Sequence, residues 1–154
     1  MNHMSTTYNV YRNGVKVKEN VSEKNFTDTG LMPHTTYQYQ VSAQNEAGES
    51  PKSEPISVTT AYSAVTSVAL DKETLSITMG QTATLVAKVQ PATADPNVTW
   101  TSSDASSVTV NASGKVTPVK AGTAILTVSS KADPTKQATC TITVTEAPPP
   151  PPQG

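Results

Sequence analysis

The sequence predicts an all-β chain of two tandem β-sandwich modules followed by a polyproline tail. Three observations support this. Among 154 residues, 25 Thr and 17 Val stand against five Leu, and β-branched side chains, stiff at χ1, pack better on a pleated surface than in a helix. Apolar residues alternate with period two: Tyr37, Tyr39, Val41 and Ala43 against Gln38, Gln40, Ser42 and Gln44, and Ala138, Cys140, Ile142 and Val144 against Thr139, Thr141, Thr143 and Thr145. Turn signals such as Asn13-Gly14, Met79-Gly80, Ser113-Gly114 and Asp133-Pro134 recur at the roughly 8–12-residue spacing of sandwiches.

In order along the chain, Met1 to Met4 read as a cloning remnant outside the fold. Strands are expected near residues 7–12, 14–18, 24–28, 37–44 and 55–59, within a first module at 5–60. The small polar stretch Thr60 to Ala64 marks the boundary, with a linker at 61–64. In a second module at 65–145, strands are expected near 65–70, 74–78, 82–89, 97–102, 107–111, 114–118, 122–130 and 138–145. The tail at 146–154 contains Pro148 to Pro152, which have fixed φ and no amide donors and so form a polyproline II spacer.

Alternation also nominates a core. In the second module Leu85, Val89, Trp100, Leu126, Val128, Cys140 and Ile142 fall on the inward face, with the lone indole of Trp100 between sheets. In the first, Tyr8, Val10, Tyr37, Tyr39 and Val41 share an apolar face, while the face of Gln38, Gln40, Ser42 and Gln44 is expected to be wet.

Charge and reactive groups exclude more than they assign. Eleven Lys and Arg against twelve Asp and Glu give net charge -1, and no charged arm is concealed in either half. A polyanion is therefore not the principal partner, and no nucleic acid is expected to bind. No apolar run approaches the ~20 residues of a spanning helix, so membrane insertion is not expected. The single Cys140 excludes an internal disulfide or a cysteine zinc site. On an inward strand position it reads as an inert thiol. His34 reads as an exposed loop imidazole, and His3 belongs to the cloning remnant. Asp71, Glu73, Asp95, Asp104 and Asp133 lack the every-other-residue spacing of a calcium loop and read as solvated turn residues. No catalytic residue, cofactor or metal ligand is expected.

At residues 31–37 the order Leu31-Met32-Pro33-His34-Thr35-Thr36-Tyr37 continues into Tyr39, Val41, Ala43, Asn45, Ala47-Gly48 and Ser50. It resembles the second half of a fibronectin type III domain. The resemblance makes Tyr37 the tyrosine corner, its ring in the core and its hydroxyl returned to nearby backbone. Residues 8–14 then resemble strand C and its turn, and residues 26–31 strand E. Strands A and B have no counterpart before Tyr8, so the module is expected to be incomplete and less ordered than its neighbour.

From residue 64 to residue 145 the chain resembles the group 2 bacterial immunoglobulin-like domain. The residues that match are Val68-Ala69-Leu70-Asp71, Leu75-Ser76-Ile77, Gly80, Val98-Thr99-Trp100-Thr101-Ser102-Ser103-Asp104, Gly114-Lys115-Val116 and Ala121-Gly122-Thr123-Ala124. Both modules are thus expected to be immunoglobulin-like. The core residues named for them are Tyr37, Leu85, Trp100, Leu126, Cys140 and Ile142.

Together the resemblances imply a non-enzymatic display module on a phage tail or capsid protein, located at a virion surface. The alternatives are a stalk of a bacterial cell-surface adhesin or an extracellular spacer of a secreted polysaccharide-degrading enzyme. Expected partners are the rest of the parent protein and, weakly and through many copies, cell-surface polysaccharide. The hydroxyls of Thr99, Thr101, Thr139, Thr141 and Thr143 are the candidate contacts.

Overall fold

The computed structural model describes residues 5–154. The expected cloning remnant, including His3, lies outside the described residues. The chain forms two compact units that divide between Tyr62 and Ser63. Both are all-β.

The first unit is built on one sheet. Its strands are β1 (Thr7–Arg12), β2 (Val15–Val21), β3 (Thr36–Asn45), β4 (Gly48–Glu49) and β5 (Ile56–Thr59). They run in the order β2-β1-β3-β4, with β5 also paired to β3, and all pairs are antiparallel. The β1–β2 turn uses Asn13 and Gly14, both at positive φ, the conformation that two-residue hairpins demand.

The strand expected near 24–28 does not form, and residues 22–35 contain no strand. Extended backbone becomes a strand only when a neighbour accepts its hydrogen bonds, and among the described residues all strands of this unit already belong to the one sheet. The segment is instead pinned by side chains. Arg12 Nη1 and the Tyr39 hydroxyl both donate to Asp28 Oδ2, at 2.8 Å and 2.6 Å. The Tyr39 hydrogen bond, then the guanidinium, hold the Asp28 carboxyl below the usual carboxylate range.

The second unit contains β6 (Ser67–Leu70), β7 (Thr74–Thr78), β8 (Ala83–Thr84), β9 (Ala87–Gln90), β10 (Val98–Ser102), β11 (Val108–Val110), β12 (Lys115–Pro118), β13 (Gly122–Ser130) and β14 (Gln137–Thr145). A four-stranded sheet runs β10-β13-β14-β7, antiparallel except for the parallel β14–β7 pair. The opposing strands form a β11-β12-β8 sheet and a β6-β9 pair.

The single strand expected over 82–89 is therefore two, which join different sheets. The break falls at Leu85 and Val86. Leu85 donates its backbone N–H to Gly114 O at 2.9 Å, and Val86 donates to Asp71 Oδ1 at 2.8 Å. Strands that change sheets at a corner are a normal way to close a sandwich.

Between the layers, Ile77, Leu85, Val108, Val116, Ala124, Leu126, Cys140, Ile142 and Val144 form one buried cluster. A smaller one is made by Val65, Val68, Ala94 and Val128. Trp100 and Leu70 pack against both clusters. Full burial of each Leu, Ile or Val side chain contributes about 1.5–3 kcal/mol, so this double cluster is the main source of the unit's stability.

Candidate functional site

Register in the four-stranded sheet of the second unit decides which side chains share a face. Thr99 lies opposite Ser129, Thr101 opposite Thr127, and Thr127 in turn opposite Thr139. Thr141 pairs with Ile125 on one side and Thr74 on the other, and Thr143 lies between Thr123 and Ser76. The alternate positions, Trp100, Leu126, Val128, Cys140 and Ile142, point into the core. All five nominated threonines therefore stand on one outward face, where rows of hydroxyls cross up to three adjacent strands and the exposed Ile125 interrupts the row of Thr141. Thr99, Thr101, Thr139 and Thr143 are exposed and Thr141 is half-buried. Adjacent strands lie about 4.8 Å apart, which is within reach of neighbouring hydroxyls on one sugar ring.

The nominated core residues occupy two environments. Leu85, Leu126, Cys140 and Ile142 are buried, whereas Trp100 and Tyr37 are half-buried. Burial pushes the Cys140 thiol up, away from the thiolate that nucleophilic chemistry needs. The Trp100 ring is covered by the turn that ends at Gly114, whose φ is +81°. A Cβ there would lie 2.3 Å from Leu85 O and 3.0 Å from Trp100 Cζ2. Only glycine allows the approach. Tyr37 accepts a 3.0 Å hydrogen bond from the Met32 N–H at its hydroxyl, tying the 31–36 loop to β3.

Three of the nominated acidic side chains hold turns. Asp104 Oδ1 accepts from the Ser106 amide at 3.0 Å and Oδ2 from the Ser107 hydroxyl at 2.6 Å. Asp133 Oδ1 accepts from the Thr135 amide, and Asp95 Oδ1 from the Asn97 amide. Asp71 serves Val86 as described and pairs with Lys72. Asp95, Asp104 and Asp133 thus form Asx-type turns that engage their oxygens locally, whereas Asp71 reaches across to Val86. Hydroxyl donors, Ser106 first, lower the Asp104 carboxyl. Among the described residues no three His, Cys, Asp or Glu side chains converge as a metal site. His34 stacks on Tyr62 with ring centroids 3.8 Å apart.

One polar centre was not foreseen. On the face of the first sheet expected to be wet, Asn9 and Ser42 are 0% and 2% exposed, while Val41 on the apolar face is 44% exposed. The expectation is thus inverted at Val41 and Ser42. The cause is Glu49, which accepts hydrogen bonds from Asn9 Nδ2 at 2.9 Å, the Tyr11 hydroxyl and the Ser42 hydroxyl. Lys16 stands 3.6 Å away. These donors, Ser42 first, hold the Glu49 carboxyl down at about 2. An Asn inside a strand, where that residue is depleted, was the sequence signal. Its partner, forty residues away, gave none.

Comparison with known proteins places these features. The model of the group 2 bacterial immunoglobulin-like domain matches residues 64–142, and that of the fibronectin type III domain matches residues 2–59. An Ig-like virion protein of Serratia phage KSP90 is 42% identical over 74 residues, which cover 47% of this chain and 29% of the relative. A lacto-N-biosidase of Bifidobacterium bifidum is 55% identical over 53 residues, 34% of this chain and 5% of that enzyme. The chain thus spans less than a third of either relative. A solved structure of the surface-layer protein SbsC aligns with 94% of this chain and 20% of its own, at 21% identity and a TM-score of 0.51, a likeness of fold alone. With a sandwich, a covered indole and a match over more than half of its residues, the chain belongs to the group 2 bacterial immunoglobulin-like domain family, behind a fibronectin type III module.

Proposed function

We propose that the chain is a non-catalytic display module of a virion or bacterial surface protein, whose threonine face makes weak, repeated contacts with cell-surface polysaccharide. The observation behind this reading is the row of hydroxyls Thr101, Thr127 and Thr139, with Thr99, Thr141 and Thr143 beside it, on one open sheet face. Each hydroxyl can donate and accept. Water competes for every bond, so a net hydrogen bond contributes only about 0.5–1.5 kcal/mol. A single module is therefore expected to bind near the millimolar end, about -4 kcal/mol. Many copies on one particle raise the apparent affinity by orders of magnitude. Similarity to an Ig-like virion protein supports the virion setting.

The test is an NMR titration of isotopically labelled protein with host cell-wall glycans, repeated with the protein displayed on a multivalent particle. Shifts confined to β10, β13 and β14 at millimolar glycan, with Thr139→Val and Thr141→Val together abolishing retention of the particle, are expected. Submicromolar binding by the monomer, or shifts elsewhere, would contradict the reading.

A second reading is favoured by the lacto-N-biosidase match, which covers 5% of that enzyme. In a long secreted hydrolase the same unit would serve as a spacer, and the displayed particle would then show no glycan retention at all.

A further inference from the structure

The threonine face of the second unit carries no charge. On β10, β13 and β14 the outward positions are Thr or Ser, apart from Ile125 and Gln137, and on β7 they are Thr74, Ser76 and Thr78. A soluble surface normally gives roughly 25–35% of its positions to Lys, Arg, Asp and Glu. Here Glu73, Lys131, Lys136 and Glu146 stand just past the strand ends. Lys131 borders a groove with Trp100 and Val110. Lys136 is offset by Asp133, whose carboxyl the Thr135 hydroxyl and amide, and beyond them Lys136, hold low.

Two rows of this face share three strands. Thr101, Thr127 and Thr139 lie side by side on β10, β13 and β14, and so do Thr99, Ser129 and Gln137. Each strand therefore presents a pair of uncharged polar side chains about 6.8 Å apart, and the pairs recur about every 4.8 Å from strand to strand. The first interval is close to the width of a ribbon-like hexose chain, and the second to its advance per ring.

We infer that the face takes an uncharged, ribbon-like, β-1,4-linked polysaccharide laid across the strands, one ring per strand, with its edge hydroxyls shared between the two rows. The inference rests on the polysaccharide reading above and names the class of chain that this face accepts. The Thr methyl groups and Ile125, 46% exposed, meet the C–H faces of the rings. A carboxylated or phosphorylated chain would lose water from its anions here and find no cation in exchange, a cost that uncharged rings do not carry. Length is selected as well. β7 joins β14 only from Thr141 onward, so a fourth ring meets no strand. Adjacent strands are rotated by about 20–25°, a twist that a single chain can follow and the straight, stacked chains of a crystalline fibre cannot.

The test is an NMR titration of the intact chain with β-1,4-linked glucose oligomers, from the disaccharide to the pentasaccharide, and with the same oligomers oxidised to carboxylates at the primary alcohol. Shifts on β10, β13 and β14 are expected. Affinity should rise about tenfold from disaccharide to trisaccharide, as two further side chains engage, and by less than about twofold beyond it. The oxidised trisaccharide should bind at least about tenfold more weakly than the neutral one. Raising salt from about 0.01 M to about 0.15 M should change neutral binding by less than about twofold. Thr99→Lys, at an exposed position on an edge strand, should bring the oxidised trisaccharide at least level with the neutral one. Amide spectra establish that the variant keeps its fold. Equal binding of oxidised and neutral oligomers on these strands, affinity still climbing at the pentasaccharide, or a Thr99→Lys chain that still rejects the oxidised form each overturns the inference and leaves the polysaccharide reading intact. No shift with any oligomer also overturns it, and the polysaccharide reading falls with it only when cell-wall glycans leave these strands unmoved as well.

Discussion

Among the described residues, the buried hydrophobic side chains of the first unit are Val10 and Tyr11, whereas the second holds a run from Val65 to Val144. The sequences of their strands do not explain this gap. Both β3 and β14 alternate apolar and polar residues with the same period. What differs is the number of layers. In the second unit the inward face of β13 and β14 meets β8, β11 and β12, and Leu126, Cys140 and Ile142 are wholly buried. In the first unit the apolar face meets a strandless segment pinned through Asp28, and its best-buried side chains lie instead around the carboxylate of Glu49. Alternation gives a strand two different faces, but only an opposing layer buries one of them.

The chromophores make this comparison measurable, because Trp100 lies in the second unit and all five tyrosines, Tyr8, Tyr11, Tyr37, Tyr39 and Tyr62, lie in the first. The largest expected effect concerns Cys140. Its reaction with a thiol reagent in the native protein should be at least about a thousandfold slower than in the unfolded chain, the ratio set by a stability of about 5 kcal/mol. In denaturant its labelling should follow the Trp100 fluorescence transition and ignore the tyrosine signal. Rapid native labelling would mean that the second unit is no better closed than the first.

Next in size is Gly114→Ala. The added carbon meets Leu85 O at 2.3 Å on a backbone of positive φ, which should lower the stability of the second unit by more than about 2 kcal/mol. The tyrosine transition should stay in place. A loss below about 1 kcal/mol would show that the turn over Trp100 yields more readily than a packed corner should.

The smallest effect, and the most local, is the acid response of the first unit. Glu49 is held at about 2 in the folded chain, against an ordinary value of 4.5. A depressed carboxylate adds stability that is complete above its ordinary value and is lost as pH falls from there through about 2. The near-UV tyrosine signal should therefore weaken towards unfolding over that window. Glu49→Gln should make the first unit less stable at neutral pH and flatten its acid limb. An unchanged limb would assign the response to Asp28, which is also lowered.

Much of the fold could be read from the sequence because the second unit obeys local rules. Positions such as Leu126 and Ile142 follow from alternation, and the turn at Gly114 from its glycine. The placement of Thr99, Thr101, Thr139, Thr141 and Thr143 on a common face required only that β10 and β14 flank β13. Three features were not legible. Residues 24–28 have strand composition but no ladder beside them, and a ladder is a property of the neighbour. The division of 82–89 at Leu85 depends on Gly114 O and Asp71, both distant in sequence. The burial of Asn9 and Ser42 depends on Glu49, whose role appears only when β1, β3 and β4 are side by side.

The parallel pairing of β7 with β14 has a mechanical consequence. Thr74 to Thr78 run beside Thr141 to Thr145 in the same direction, with β7 near the start of the second unit and β14 near its end. Tension applied at Ser63 and at Glu146 draws these two strands past each other along their length. The ladder bonds between them then share the load and must break together, whereas an antiparallel pair pulled from one end opens a bond at a time. A unit wired in this way is expected to resist stretching along the chain more than one whose terminal strands pair antiparallel.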